Sequence, residues 1–201
     1  MRWLALLAAG VLAALGCSGD AGEPSDPGGV GSEATAAAAI VEPRRPAPDF
    51  RQPRLGGGEV ALQALRGRIV VLDFWATWCL PCLETIPEIN AFYDAHREEG
   101  IEVFGISVDE DGEEVVAEWI AKHRVRYPIL LADIGLAQRF AAPGFPATYF
   151  IAPDGTMADP LLGDLDRADL EQSLARVRAY WRAVGRLDPQ ASPRAGRSPD
   201  S

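Results

Sequence analysis

The sequence predicts an α/β domain in which helices cover both faces of a β-sheet. Apolar runs rich in β-branched residues occupy residues 68–74, 101–108 and 147–151, and such runs are typical of strands buried on both sides. Residues 81–99 and 112–123 carry apolar side chains at helical spacing. Strand and helix signals therefore alternate along the chain.

The first predicted helix, residues 81–99, ends before Gly100, a residue that favours helix ends. Pro87 lies inside this helix and is expected to kink it. Its expected buried face is formed by Leu83, Ile86, Ile89, Ala91, Phe92 and Ala95.

The carboxyl-terminal part of the domain is expected to contain a hairpin and a last helix. The turn Pro153-Asp154-Gly155 follows the strand at residues 147–151 and predicts a short return strand. Asp166 can cap a helix that runs to about Val184. The earlier helix, residues 112–123, is expected to bury Val115, Val116, Trp119 and Ile120.

Composition limits the possible partners. Hydrophobic residues make up 48% of the 201 residues, which is enough for a packed core. The formal net charge is -10. This charge argues against a nucleic-acid partner, because phosphate binding needs a basic face.

The amino terminus has the pattern of an export signal. Arg2 is followed by an apolar run, residues 3–15, that is too short to cross a bilayer but long enough for a signal-peptide core. The run ends in Ala14-Leu15-Gly16-Cys17, which resembles the lipobox of bacterial lipoproteins. We therefore expect a signal peptide over residues 1–16 and lipidation of Cys17, which would place the domain outside the cytoplasm and facing the periplasm. Ordinary secretion without Cys17 and an uncleaved anchor are the alternatives.

The remaining segments flank a single predicted domain. Residues 17–46 are rich in Gly, Ala, Pro, Ser and Glu and are expected to form a flexible tether. Residues 47–185 form the domain, and residues 186–201 are expected to be a disordered tail.

A Cys-x-x-Cys motif carries the predicted chemistry. Cys79 lies where a strand gives way to a helix, and the helix N-terminus favours a thiolate there. Cys79 is therefore the expected nucleophile, and Cys82, one turn further, the expected resolving thiol of a redox-active disulfide. Half of a zinc site and a purely structural disulfide are the rival interpretations; for zinc, His96 and His123 are distant in sequence and unpaired. No cofactor and no metal are predicted.

Four segments together resemble the thioredoxin superfamily, and specifically its membrane-tethered TlpA/ResA-type branch. They are residues 71–82, 47–50, 105–109 and 144–150. The resemblance implies a thioredoxin-like fold with a central mixed sheet, an N-terminal β-hairpin and an insertion around residues 112–140. It also implies disulfide exchange with other proteins.

The same resemblance implies a substrate-binding surface. Pro146 matches the family's cis-proline, which faces the cysteine pair, and a cis bond would turn the backbone of Phe145 outward toward a substrate segment. Trp78 is expected either to dock substrate or to pack in the core, and Trp75 to pack. His96 and His123 are interpreted as solvated surface residues.

Asp73 matches the buried aspartate of cytoplasmic thioredoxins. A carboxylate in an apolar strand should have a raised pKa, and such a group could accept the Cys82 proton as that thiol attacks. We therefore predict that Asp73 is the general base; the alternative is a structural hydrogen-bonded residue.

The predicted function is a protein thiol-disulfide oxidoreductase that acts as a reductant. By resemblance, its partners are disulfide-containing apoproteins, as in cytochrome c biogenesis or metal-site assembly, and a membrane thiol carrier that supplies electrons. Two alternatives remain. A thiol peroxidase would need a threonine three positions before its cysteine, where this chain has Ala76. A non-enzymatic metal-binding module would need more soft ligands than two Met and two His provide.

Overall fold

The computed structural model describes residues 44–187 of the chain, which form a mixed sheet flanked by helices. The strands are β1 (Arg45–Pro46), β2 (Arg51–Pro53), β3 (Glu59–Ala61), β4 (Val70–Trp75), β5 (Glu102–Ser107), β6 (Ile129–Leu131), β7 (Ala147–Ile151), β8 (Thr156–Met157) and β9 (Leu161–Leu162). The helices are α1 (Cys82–His96), α2 (Glu113–His123), α3 (Ile134–Arg139) and α4 (Arg167–Leu187).

The seven-stranded sheet has the order β1-β8-β7-β4-β5-β6, and β9 also pairs with β7. β4, β5 and β6 run parallel, whereas β7 runs antiparallel to β4. The predicted central mixed sheet is therefore confirmed. β4 and β7 are buried along their whole length, as their continuous apolar sequences predict.

Helices cover both faces of this sheet. On one face, Phe92 of α1 packs edge-on against Phe150, whose cross-strand partner is Val71. On the other face, Phe140 after α3 packs against Phe74, with ring centroids 5.1 Å apart. Because side chains alternate along a strand, Asp73 and Trp75 share the α1 face with Val71. The long helix α4 packs against α1 and β7.

Helix α1 follows the predicted burial pattern up to its last turn, although Leu83 and Ala91 are only half-buried. Ile86, Ile89 and Phe92 are buried, and Gly100 ends the following 3-10 turn in the left-handed conformation, at φ 77°. The interpretation of His96 as a solvated residue was wrong: it is 7% exposed, whereas Ala95 is exposed. His96 follows Phe92 by four residues and lies on the same face of the helix.

Both nitrogens of the buried His96 ring lie within hydrogen-bonding distance of carboxylates. Its Nδ1 lies 3.1 Å from Glu99 Oε1, and its Nε2 lies 3.0 Å from Glu171 Oε1 of α4. The ring also contacts Phe92, with centroids 4.5 Å apart. His96 is therefore part of the packing between α1 and α4.

The insertion implied by the resemblance contains α2, β6 and α3. Strand β6 extends the sheet beside β5, and it was not predicted because its three residues are too few to show a period. Val116 of α2 is buried as predicted, but Val115 is 40% exposed. One hundred degrees of helical rotation separate neighbouring residues, so both cannot face the same core directly.

The amino-terminal segment touches both edges of the sheet. β1 pairs with β8 at one edge, so the sheet includes residues 45 and 46, which precede the predicted domain boundary at residue 47. The hairpin β2–β3, which confirms the predicted N-terminal hairpin, reaches the other edge, where Leu55 N–H donates to Ile129 O at 2.9 Å. Between β1 and Leu55 the chain therefore runs from one edge of the sheet to the other.

At the other end, the last helix begins with the predicted cap. Asp166 Oδ1 accepts from Asp169 N–H at 3.0 Å, and Asp169 Oδ2 accepts in return from Asp166 N–H. The helix continues to Leu187, two residues into the predicted tail. The predicted signal peptide, Cys17, most of the predicted tether and the rest of the predicted tail lie outside the described residues. No helix within residues 44–187 is both long and apolar enough to cross a membrane.

Candidate active site

The redox pair lies at the carboxyl edge of the parallel strands. Cys79 follows the end of β4, Cys82 is the first residue of α1, and the two form a disulfide. Cys79 is 5% exposed and Cys82 is 1% exposed. The outer sulfur therefore lies nearer to solvent, as a nucleophile requires.

Helix α1 begins at Cys82, one residue after the predicted start at residue 81 and three residues after Cys79. The intervening turn is tightened by i to i+3 hydrogen bonds from Cys82 N–H to Cys79 O and from Leu83 N–H to Leu80 O. Pro81, which has no N–H to leave unpaired, is the N-cap. Cys79 still lies at the amino end of the helix, and its backbone carbonyl accepts the first bond.

The loop before Cys79 is held by Asp109, a residue that the sequence analysis did not single out. Asp109 Oδ1 accepts from the Thr77 N–H at 2.9 Å and from the Thr77 hydroxyl at 2.5 Å. Its Oδ2 accepts from the Ser107 hydroxyl at 2.7 Å. The signal was present in the sequence, because Asp109 follows β5 just as the loop of Cys79 follows β4, and the ends of parallel strands meet at one edge.

An open hollow of about 480 Å³ adjoins the outer cysteine. Trp78 is 62% exposed and lies edge-on to Phe145, with ring centroids 5.9 Å apart. The Phe145–Pro146 bond is cis, the isomer that the resemblance implies. The residues that line the hollow are Trp78, Cys79, Leu80, Pro81, Gly144 and Phe145. Of the two alternatives for Trp78, the exposed position is compatible with docking rather than with core packing.

Trp75 packs within the domain instead. It is 2% exposed and stacks on Trp119 of α2 at 4.4 Å between ring centroids. Its indole N–H finds no acceptor among residues 44–187. His123, four residues after Trp119 in α2, has its ring centroid 4.5 Å from that of Trp119 and is half-buried rather than fully solvated.

Asp73 is 1% exposed and lies on the sheet face that α1 covers. Its Oδ1 accepts from the Thr148 hydroxyl at 3.1 Å, and its Oδ2 accepts from the Tyr127 hydroxyl at 3.2 Å. Burial raises the pKa of the Asp73 carboxyl to about 7, although both hydrogen bonds act to lower it. A carboxyl group that is half ionised near neutral pH can exchange a proton with a neighbouring group.

Thr148 and Tyr127 were missed at the level of sequence. Thr148 could have been suspected, because it lies in an otherwise apolar buried strand. Nothing in the local sequence pointed to Tyr127, because it lies 54 positions from Asp73 in the chain and the two meet only through tertiary packing.

Comparison with known proteins agrees with this geometry. Residues 43–159 match the model of the AhpC/TSA family. The chain is 29% identical over 133 residues to the thiol-disulfide oxidoreductase ResA of Bacillus cereus, covering 65% of this chain and 76% of the relative. It is 33% identical over 130 residues to ResA of Oceanobacillus iheyensis, covering 62% of this chain and 67% of the relative.

A solved structure gives the same result at the level of fold. A Chlorobium tepidum protein assigned as the thiol:disulfide interchange protein DsbE aligns with a TM-score of 0.61 at 26% identity, over 68% of this chain and 99% of that one. The range matched by the family model, residues 43–159, contains β1 to β8, the cysteine pair and the cis-proline. The chain belongs to the AhpC/TSA family and is a thioredoxin-like thiol-disulfide oxidoreductase with its redox pair at Cys79 and Cys82.

Proposed function

We propose that the protein is an extracytoplasmic reductant of disulfides in apoproteins, such as apocytochromes c or proteins awaiting a metal. The observation that carries this proposal is the position of Cys79, beside an open apolar hollow and the cis Phe145–Pro146 bond. An extended peptide laid along Phe145 would bring its disulfide to this sulfur.

The reaction has two exchange steps. The Cys79 thiolate attacks one sulfur of the substrate disulfide, and the other substrate sulfur leaves as a thiolate. Cys82 then loses its proton and attacks the Cys79 sulfur. The Cys79–Cys82 disulfide forms, the second substrate thiolate leaves, and two electrons have passed to the substrate.

In this scheme the proton of Cys82 passes to Asp73. Asp73 lies on the face covered by α1, whose first residue is Cys82, and its raised pKa suits a base that works near neutral pH. We assign Asp73 as the general base of the second step. In Asp73→Asn, resolution of a trapped mixed disulfide should slow and lose its pH dependence; an unchanged rate and profile would remove this role.

The amino-terminal sequence supports a proposal for the cellular setting. We propose that residues 1–16 are a signal peptide, that Cys17 carries the lipid, and that the segment 17–46 tethers the domain to the membrane. A membrane thiol carrier would reduce the Cys79–Cys82 disulfide after each turnover. Replacement of Cys17 by Ala should release the protein from membranes and abolish labelling by a radioactive fatty acid.

The decisive experiment is covalent trapping. Cys82→Ser cannot complete the second step, so it should accumulate mixed disulfides on Cys79 in cells, whereas Cys79→Ser should not. Trapped apocytochromes or apo-metalloproteins would support the reductant assignment. Trapping of many newly secreted proteins without a preference for such apoproteins would instead indicate an oxidant or isomerase.

A thiol peroxidase is the alternative function for this fold. Ala76, three positions before Cys79, has no hydroxyl, and the Thr77 hydroxyl is engaged by Asp109. Rapid peroxide consumption by Cys82→Ser would nevertheless favour a peroxidase over the proposal.

A further inference from the structure

A glycine opens the space around the buried carboxyl group of Asp73. Gly105 of β5 is the cross-strand partner of Asp73. A Cβ atom at Gly105 would lie 2.8 Å from Cε2 of Tyr127 and 2.8 Å from Nε1 of Trp75. These distances are shorter than non-bonded contacts of a Cβ atom allow. The absence of a side chain at Gly105 therefore lets the rings of Tyr127 and Trp75 pack directly on β5.

Tyr127 uses this space to reach Asp73. It lies in the connection between α2 and β6, it is 4% exposed, and its hydroxyl donates to Asp73 Oδ2 at 3.2 Å. Thr148 of β7 donates to the other oxygen at 3.1 Å. Each oxygen of the carboxyl group therefore has one donor, and the two donors come from opposite sides of β4.

We propose that Tyr127, a residue of the insertion, is a positioning residue that orients Asp73 and favours its ionised form, so that Cys82 can be deprotonated at neutral pH. The inference rests on the proposed role of Asp73 as the base. Tyr127, which lies outside the cysteine loop, would thus assist the second exchange step.

The electrostatics of the site agree with this role. A hydroxyl that donates to a carboxylate stabilises the charged form, so loss of the Tyr127 hydroxyl should raise the pKa of Asp73 further. Burial and the nearby Asp73 raise the pKa of Tyr127 well above its usual range, so this phenol remains a donor at neutral pH. The groups around Asp73 are Thr148 from β7, Tyr127 from the connection before β6 and, by the proposed mechanism, Cys82 from α1; Gly105 of β5 contributes no charge.

The test uses Tyr127→Phe, which removes the hydroxyl and keeps the ring. Tyr149→Phe is the matched control, because Tyr149 is also buried and donates to Phe140 O at 3.1 Å on the opposite face of the sheet. Two quantities are measured for each variant: the titration midpoint of the Asp73 carboxyl carbon by NMR, and the pH profile of resolution of a mixed disulfide on Cys79.

For Tyr127→Phe we expect a higher midpoint and a resolution profile displaced to higher pH. A displacement of one pH unit from a midpoint near 7 would reduce the ionised fraction of Asp73 at pH 7 by about fivefold, and the rate should fall in proportion. The rate should recover as the pH is raised. Tyr149→Phe should keep the midpoint and the profile of the wild-type protein, and Tyr127→Phe should add nothing in an Asp73→Asn background.

The possible failures can be told apart. If Asp73→Asn keeps the wild-type rate and profile, the base role is wrong, and the present inference falls with it. If Asp73→Asn flattens the profile but Tyr127→Phe behaves like Tyr149→Phe in both measurements, the base role stands and the inference about Tyr127 is overturned. Near-ultraviolet circular dichroism of each variant verifies that the compared proteins are folded.

Discussion

The carboxylate of Asp109 accepts hydrogen bonds from both the backbone N–H and the hydroxyl of Thr77, two residues before Cys79. This contact joins the end of β5 to the loop that follows β4. The outer cysteine is thus presented by a turn that is fixed on both sides, by Asp109 before it and by α1 after it.

Removal of this acceptor should loosen the loop. In Asp109→Ala, the donors of Thr77 and Ser107 lose their partner, and we expect the free energy of unfolding to fall by about 1–3 kcal/mol. The measurement is urea unfolding of the oxidised protein. Glu110→Ala, at the exposed neighbouring position, is the control; an equal loss in the two variants would contradict the role of Asp109.

The raised pKa of Asp73 predicts a pH dependence of stability. Between about pH 4, where this group titrates in the unfolded chain, and its folded value of about 7, the native state binds more protons than the unfolded state. Asp73 therefore lowers the stability of the wild-type protein as the pH rises through this window.

Replacement by Asn removes that dependence. Between pH 4 and pH 8, the stability of Asp73→Asn relative to the wild type should rise by up to about 4 kcal/mol. Unfolding curves recorded from pH 4 to pH 8 measure it. The exposed Asp164→Asn serves as control, and a stability difference for Asp73→Asn that does not change with pH would contradict the prediction.

Gly105 should tolerate no larger residue. In Gly105→Ala the new methyl group would meet Ile129 at 2.6 Å as well as the two aromatic rings, and overpacking of this kind costs about 1–3 kcal/mol. Gly144→Ala is the comparison, because a Cβ there meets no atom of residues 44–187 within 4 Å. Thermal unfolding distinguishes the two; equal midpoints would show that the rings over Gly105 move aside freely.

The exposed indole of Trp78 should matter for protein substrates rather than for the thiol chemistry. Trp78→Ala removes apolar contact area at the hollow, so we expect KM for a disulfide-bonded protein substrate to rise several-fold. Reduction of a small aromatic disulfide should change much less. Val115→Ala, at another exposed apolar position, is the control, and equal effects of Trp78→Ala on both substrates would argue against a docking role.

The elements that the sequence predicts well are those whose local pattern matches their burial. β4, β5 and β7 are continuous apolar runs because they are covered on both faces, and their predicted ends are within two residues of the observed ones. β6 was not predicted, since three residues carry no recognisable period.

For the site, the sequence supplies the cysteines and Asp73 because these stand out within a short motif. It does not supply Asp109, Tyr127 or Thr148, whose contacts join segments between 32 and 75 positions apart. The burial of His96 likewise could not be predicted from its local sequence. Its neighbours in sequence are charged, yet its position one turn after Phe92 places it against α4, where Glu171 makes its burial tolerable.

The path of the amino-terminal segment limits how far the domain can be trimmed. β1 shields the outer side of β8, while the hairpin shields β6 through Arg54 and Leu55. A version that starts after residue 61 would leave two strands with open hydrogen-bonding edges, and such edges recruit strands from other molecules. We therefore expect that shortened protein to self-associate, a liability to avoid in any minimal version of the enzyme.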